Sequence, residues 1–459
     1  MTSSGNDAVA PGVSRRSLMQ MFGVAGFGVA AGGLLSACAP GSSGSTTALA
    51  SSSATDASGT ATLWFRDDDL LKVFKTVVPA FNKKYPNVKL NLQGVDIDTK
   101  LAPALISGTG VPDGSFYADG SVLGQAAHLT DLTAVMSKYT SDTVQYKLDI
   151  NTQDGKLYGI PWDTDPGLLY YREDILSAAN VDPTTLTSYD ALLDAAREIK
   201  AKNPKAQPIP LEQDPNLAMQ WLMMLVNQQQ GTGLVDADGK LTIDTDAYRK
   251  ALTWIKAVAD EGLGARSKFA SSAQIAEADG STISLVPWAI WFNFLIQSAF
   301  KTSVGHWRAA ALPAWTSGGA TSGVMGGSSF VIPAKAANPH LAWLFYEFAI
   351  YESAGYSAVF GSNSVYPNGL NTALPSVKSA LNGPSLFKPL AGLGNESLWD
   401  VSTKASLAIP AGYRIPSWFD QAANYLGSNL QKLMDGKMSV EDVVKKSASD
   451  IQTNLVDRS

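Results

Sequence analysis

One cysteine and three histidines are the whole supply of thiol and imidazole in 459 residues. A single thiol, Cys38, excludes a disulfide within the chain and a zinc site built from several cysteines. His128, His306 and His340 stand far apart and lack the spacing of metal ligands, so no metal and no cofactor are implied. Basic charge is scarce too. The balance of 35 Lys and Arg against 41 Asp and Glu leaves a net charge of -6, which gives no electrostatic footprint for nucleic acid. What remains is a globular composition, 45% apolar and 17% charged, in a chain long enough for two domains with separate cores.

The amino-terminal residues read as an address. Ser14-Arg15-Arg16-Ser17 precedes an uncharged, Gly- and Ala-rich run over 21–35, with charge on one side only, as in a signal peptide. The run ends in Leu35-Ser36-Ala37-Cys38, which resembles the lipobox of bacterial lipoproteins and implies that Cys38 carries a lipid. Arg15-Arg16 resembles a twin-arginine signal, although Leu18, Met19 and Gln20 depart from the common pattern, so export by Tat or by Sec stays open. Residues 1–38 are thus expected to form the signal and lipobox. Residues 39–59, rich in Ser, Gly, Thr and Ala, are expected to be a flexible tether spanning on the order of 25 Å.

The stretch over 155–176, GKLYGIPWDTDPGLLYYREDIL, organises the rest. Two strand-like runs, 157–160 and 168–171, flank a polar crossing that carries Trp162, Asp163 and Asp165. An aromatic face beside two carboxylates suits a polyhydroxylated ligand, because C–H faces pack on a ring while carboxylates accept hydroxyl hydrogens. The competing reading makes Trp162 core and the aspartates turn residues. The spelling G-K-x-Y-G-x-P followed by L-x-Y-x-x-x-x-L resembles the crossover segment of extracellular solute-binding proteins of sugar ABC importers, the maltose-binding-protein-like family.

Further segments carry the resemblance in order. A strand over 60–65, an amphipathic helix with Leu70, Leu71, Phe74, Val77, Val78 and Phe81, and a strand over 89–93 make a first β-α-β unit. Between strand and helix lie Arg66, Asp67 and Asp68, read either as ligand contacts or as helix capping. The family places ligand contacts where Tyr117 and Asp119 fall, and again at Glu212 and Gln213, with core packing and a helix start as the respective alternatives. Trp288 and Trp291 match a stretch that carries a stacking tryptophan, although aromatics at this spacing also serve as core. Gly326-Gly327-Ser328-Ser329-Phe330-Val331-Ile332-Pro333 matches a G-G-x-x-φ-x-I-P segment in which Gly327 and Ser328 approach the ligand. Ser328 stands where tryptophan is common, so one stacking surface is missing. Trp418 resembles a late aromatic contact, and 236–244 reads as a short hairpin turning at Asp238-Gly239.

The resemblance implies a periplasmic-binding-protein-like α/β fold of two lobes, 60–162 plus 323–365 and 163–322 plus 366–459. They would be joined by crossings near 162–166, 313–322 and 361–366, with the ligand held in the cleft between them. It implies a monomeric binding protein, not an enzyme, held at the extracytoplasmic face of the membrane by lipid, that delivers a sugar or oligosaccharide to ABC permease subunits. Two alternatives remain open here: a cationic ligand such as an amino sugar or polyamine, favoured by the many aspartates, and a secreted glycoside hydrolase using Asp163 and Asp165.

Overall fold

Ala61, Leu63 and Phe65 occupy every second position of the opening strand and are wholly buried, as a strand covered on that face requires. The computed structural model describes residue 49 and residues 57–458, except Asp67 and the side chains of Asp68 and Asp69. After β1 (Gly59–Phe65), the helix Asp68–Lys84 turns Val73, Phe74, Val77 and Phe81 inward at one-turn spacing. Each of these side chains contributes roughly 1.5–3 kcal/mol by leaving water.

Strand β2 (Val88–Gly94) pairs with β1 in parallel from Gly59↔Val88 to Phe65↔Gly94, and β3 (Gly114–Ala118) joins the other edge of β1. Strand β4 (Ile160–Pro161) ends the first passage through this lobe, and β5 (Asp163–Thr164) leaves it. In the second lobe, β6 (Gly167–Arg172), β7 (Ile209–Glu212), β8 (Gly264–Ser267), β9 (Leu285–Ala289) and β10 (Trp307–Ala311) form two small sheets. One is antiparallel, ordered β9-β6-β10, and the other is the parallel pair β7-β8. The chain then returns through β11 (Ser328–Val331), inserted antiparallel between β3 and β4, and crosses back at β12 (Leu374–Pro375). The five-stranded sheet is therefore ordered β2-β1-β3-β11-β4.

Two hydrophobic cores result, and they define two α/β lobes. One contains Phe65, Phe74, Phe330 and Phe345, and the other Leu169, Trp221, Trp288 and Leu430. The crossings lie side by side. β5 pairs with β12 through Leu374↔Thr164 and Pro375↔Asp163, while Gly167 N–H donates to Gly323 O at 2.7 Å.

Several boundaries differ from expectation. Val324 and Met325 still pack in the second core and Phe330 in the first, so the second crossing falls at the Gly326-Gly327 pair instead of 313–322. Leu370, Ala373, Val377 and Ala380 pack in the first core, so the third crossing comes later than 361–366. Residues 236–244 turn at Asp238-Gly239 as expected, but the hairpin is minimal, with a single antiparallel bridge and no extended strands. The Asp236 carboxylate accepts from Asp238 and Lys240 N–H groups, and only the bridge Val235↔Leu241 closes the loop. Within 39–59, Leu49 is buried and its N–H donates to Asp131 O at 3.1 Å, and Gly59 already belongs to β1, so this stretch is not free throughout. Residues 1–38, expected to form the signal and lipobox with Cys38, lie outside the described residues.

Candidate functional site

A short helix, Gln145–Asp149, carries Lys147 into the seam where the crossings meet. Its Nζ is wholly buried and contacts the Asp119 carboxylate at the end of β3, Asp163 Oδ1 at 3.5 Å on the first crossing, and Ser328 O at 2.8 Å on the second. The other Asp119 oxygen, Oδ1, accepts from Ser329 Oγ at 2.6 Å, and Asp163 Oδ1, the oxygen nearest Lys147, also accepts from Ser328 N–H at 2.7 Å. A buried cation is tolerable only with such partners. Gly327, at φ +116°, has no alternative residue here, because a β-carbon would collide with the Asp119 carboxylate. Burial raises the pKa of Asp163, and the Lys147 ammonium opposes that rise.

Asp165, two residues on, is treated differently. It is 6% exposed, its Oδ1 has no partner, and burial with the neighbouring Asp163 pushes its carboxyl well above the usual range. Its Oδ2 borders the space beside Gly326. From the other side that space meets the indole nitrogen of Trp291, whose N–H donates to Met325 O at 3.2 Å, and the amide of Gln220. Gln220 is delivered by the helix Pro215–Gln230, which starts at Pro215 with Asp214 capping the N–H groups of Asn216 and Leu217 at 3.0 and 3.2 Å.

The structure brings together Asp119, Asp163, Asp165, Trp291, Gly327 and Ser328 from the expected set. Arg66 stands at the end of β1 with its guanidinium 5.0 Å from the Phe116 ring and 3.5 Å from Asp98, its Nε buried without a partner. Tyr117 is buried beside Ser121, and burial together with Asp420 and Asp98 raises its hydroxyl pKa. Trp418 is half-buried against the second core, and Gln213 is exposed. Asp67 lies outside the described residues, as does the side chain of Asp68.

Three expectations are corrected. Trp162 belongs to the first core: Phe360 stacks on it at 5.7 Å and 24°, and Phe74, Phe116 and Phe330 close around it. Trp288 is 1% exposed, layered with Phe269 at 5.6 Å and 7° and with Trp221 at 6.4 Å and 27°. Neither ring has a face to offer. Glu212 is wholly buried and accepts from Asp214 N–H at 2.7 Å and Phe269 N–H at 2.8 Å, so it braces the loop that caps the Gln220 helix.

Lys147 and Gln220 were missed. A lysine between Tyr146 and Leu148 gives no local sign of partners 16 to 181 residues away. Gln220 had a signal, being a lone amide between Met219 and Trp221 in an otherwise apolar stretch.

The lobes touch along one lip of the cleft. Ser121 Oγ donates to Asp420 Oδ2 at 2.7 Å and Phe419 lies against Gly120; Arg414 pairs at 2.7 Å with Asp149, on the helix Gln145–Asp149, which lies between the cores with Leu148 in the first and Tyr146 in the second.

The family model described as bacterial extracellular solute-binding protein matches residues 67–355, more than half of the chain. This protein belongs to that family, whose place is outside the cytoplasm. An arabinooligosaccharide-binding protein of Bacillus subtilis (strain 168) is 27% identical over 292 residues, 60% of this chain and 65% of that protein, so the match takes in just under two thirds of that relative. A lactose-binding protein of Rhizobium radiobacter is 25% identical over 370 residues, 77% of this chain and 83% of that one. Among solved structures, the galacto-N-biose-/lacto-N-biose I-binding protein of the ABC transporter from Bifidobacterium longum superposes with a TM-score of 0.72 at 16% identity, covering 87% of this chain and 98% of that chain. The likeness in structure is one of fold.

Proposed function

We propose that this protein captures a sugar or oligosaccharide between its two lobes and delivers it to the permease subunits of an ABC importer. The observation that carries the reading is Asp165: a buried carboxylate oxygen without a partner, beside an indole and a glycine pair at the junction of the lobes. Leaving such an oxygen unpaired is costly, and a hydroxyl of a ligand closed into the cleft, which can both donate and accept, would supply the missing partner whether the carboxyl carries its proton or not. The names of the relatives that bind saccharides support the same ligand class.

The cationic reading has less support, because Lys147 already occupies Asp119 and Asp163. A glycosidase would need two carboxyls flanking one bond, whereas Asp163 is tied to Ser328 N–H and Lys147, so the protein acts by binding alone. The lobes close as a monomer about the three crossings, each ligand contact favouring the closed form. Cys38 carries the lipid that holds the protein at the outer face of the membrane after export by Tat or Sec.

The test is thermal unfolding of the full chain with arabinobiose, lactose, maltose, amino sugars and polyamines. A ligand that binds only the folded state raises Tm. A shift with a neutral saccharide is expected, and a shift confined to polyamines would overturn the reading.

A further inference from the structure

Asp165, Trp291 and Gln220 come together around Gly326. A β-carbon placed at Gly326 would stand 3.4 Å from Asp165 Oδ2, 3.4 Å from Trp291 Nε1 and 3.9 Å from Gln220 Oε1. The indole N–H is already engaged with Met325 O, and Gln220 directs its Nε2 to Asn216 Oδ1 at 2.6 Å. That bond fixes which way the amide points and turns Oε1 toward Gly326. Two oxygens, Oδ2 of the Asp165 carboxyl and Oε1 of the Gln220 amide, therefore come near one another from different segments, and the other oxygen of that carboxyl, Oδ1, is buried with no partner. Oxygens gathered in this way call for a ligand that brings several hydroxyls at once.

We propose that Gln220 is a specificity-determining residue of the cleft, reading together with Asp165 two neighbouring hydroxyls on one ring of the bound saccharide. This rests on the sugar reading above. A hydroxyl of the opposite configuration turns its hydrogen away from one acceptor and leaves that acceptor buried and unpaired, which separates the two sugars by about ten- to a hundredfold in affinity. The helix Pro215–Gln230 is the source of this selectivity, because its capped start holds Asn216 and so the orientation of the Gln220 amide.

The experiment measures dissociation constants by calorimetry for the full chain and for its Gln220→Met and Gln220→Ala variants. The probes are arabinobiose, maltose, lactose, cellobiose, galactose and glucose. Lactose and cellobiose differ only in one hydroxyl configuration, as do galactose and glucose. Gln220→Met keeps the length and apolar stem of the side chain, so the Tm of the unliganded variant serves as the control for folding. Expected is a loss of about ten- to a hundredfold for the tightest sugar and a narrowed preference for it over the others, with unliganded Tm nearly unchanged. An unchanged preference in Gln220→Met overturns the inference while leaving the sugar reading in place. If none of the six sugars binds the unaltered protein, the sugar reading fails and the inference falls with it.

Discussion

Lys147 Nζ lies 2.8 Å from the carbonyl oxygen of Ser328, a residue 181 positions further along the chain. Through this bond and those to Asp119 and Asp163, one buried ammonium ties the end of β3 to two of the crossings. Replacing it by methionine leaves two carboxylates buried without their cation, so Lys147→Met is expected to cost about 3–5 kcal/mol in chemical unfolding. Lys147→Met with Asp119→Asn is expected to recover part of the loss. Full additivity of the two changes would mean that the pair is not coupled.

Trp288 is sandwiched by Phe269 and Trp221 in the second core. Trp288→Ala is expected to act on stability, by about 3–5 kcal/mol, because it opens a cavity between two rings that cannot collapse onto each other. Urea unfolding checks this. A variant as stable as the parent but weakened in ligand binding would place the ring in the site instead.

Much of the first lobe was legible. Alternation at Ala61, Leu63 and Phe65 and one-turn spacing at Phe74, Val77 and Phe81 are local patterns, and local patterns are what strands and helices obey. The stretch over 155–176 led to the candidate site for the same reason, since Asp163 and Asp165 are neighbours in sequence. The crossings at Gly326-Gly327 and Leu374–Pro375 were displaced, because which core receives Val324 or Leu370 depends on distant packing. The tryptophans were misread by their chemistry: Trp162 and Trp288 have the ring that a sugar favours, but phenylalanines supplied by remote segments cover both.

Burial pushes the Glu212 carboxyl up to about 7, against the backbone N–H groups of Asp214, Phe269 and Gln213 that favour its ionised form. A carboxyl whose pKa is higher folded than unfolded binds its proton more tightly in the folded state, so its contribution is full below about 4.5 and is lost as pH rises through 7. The protein is therefore expected to lose about 3 kcal/mol of stability from this group between pH 4.5 and 8. Glu212→Gln removes that part of the slope, although it also gives up one accepted N–H bond and starts from a lower stability. Tm measured across this range in both proteins checks the difference. Parallel profiles would mean that Glu212 does not titrate in this window.

Arg414 and Asp149 meet at the lip of the cleft with side chains 30% and 15% exposed, beside the Ser121 to Asp420 bond. Such a pair is worth about 0.2–1 kcal/mol, enough to change the population of the closed form by up to about fivefold. Arg414→Ala is thus expected to raise Kd for a neutral ligand by up to about fivefold without touching it, and mainly through faster release. Salt screens the pair in the same way, so even a neutral sugar should bind the unaltered protein somewhat less tightly as ionic strength rises, and the variant should lose that dependence. Exchanging the charges, Asp149→Arg with Arg414→Asp, is expected to restore both affinity and salt response. Solution scattering of the unliganded proteins separates the two ways of losing affinity: a more open average shape in Arg414→Ala supports the closing role, and an unchanged shape with weakened binding would assign Arg414 to the ligand itself.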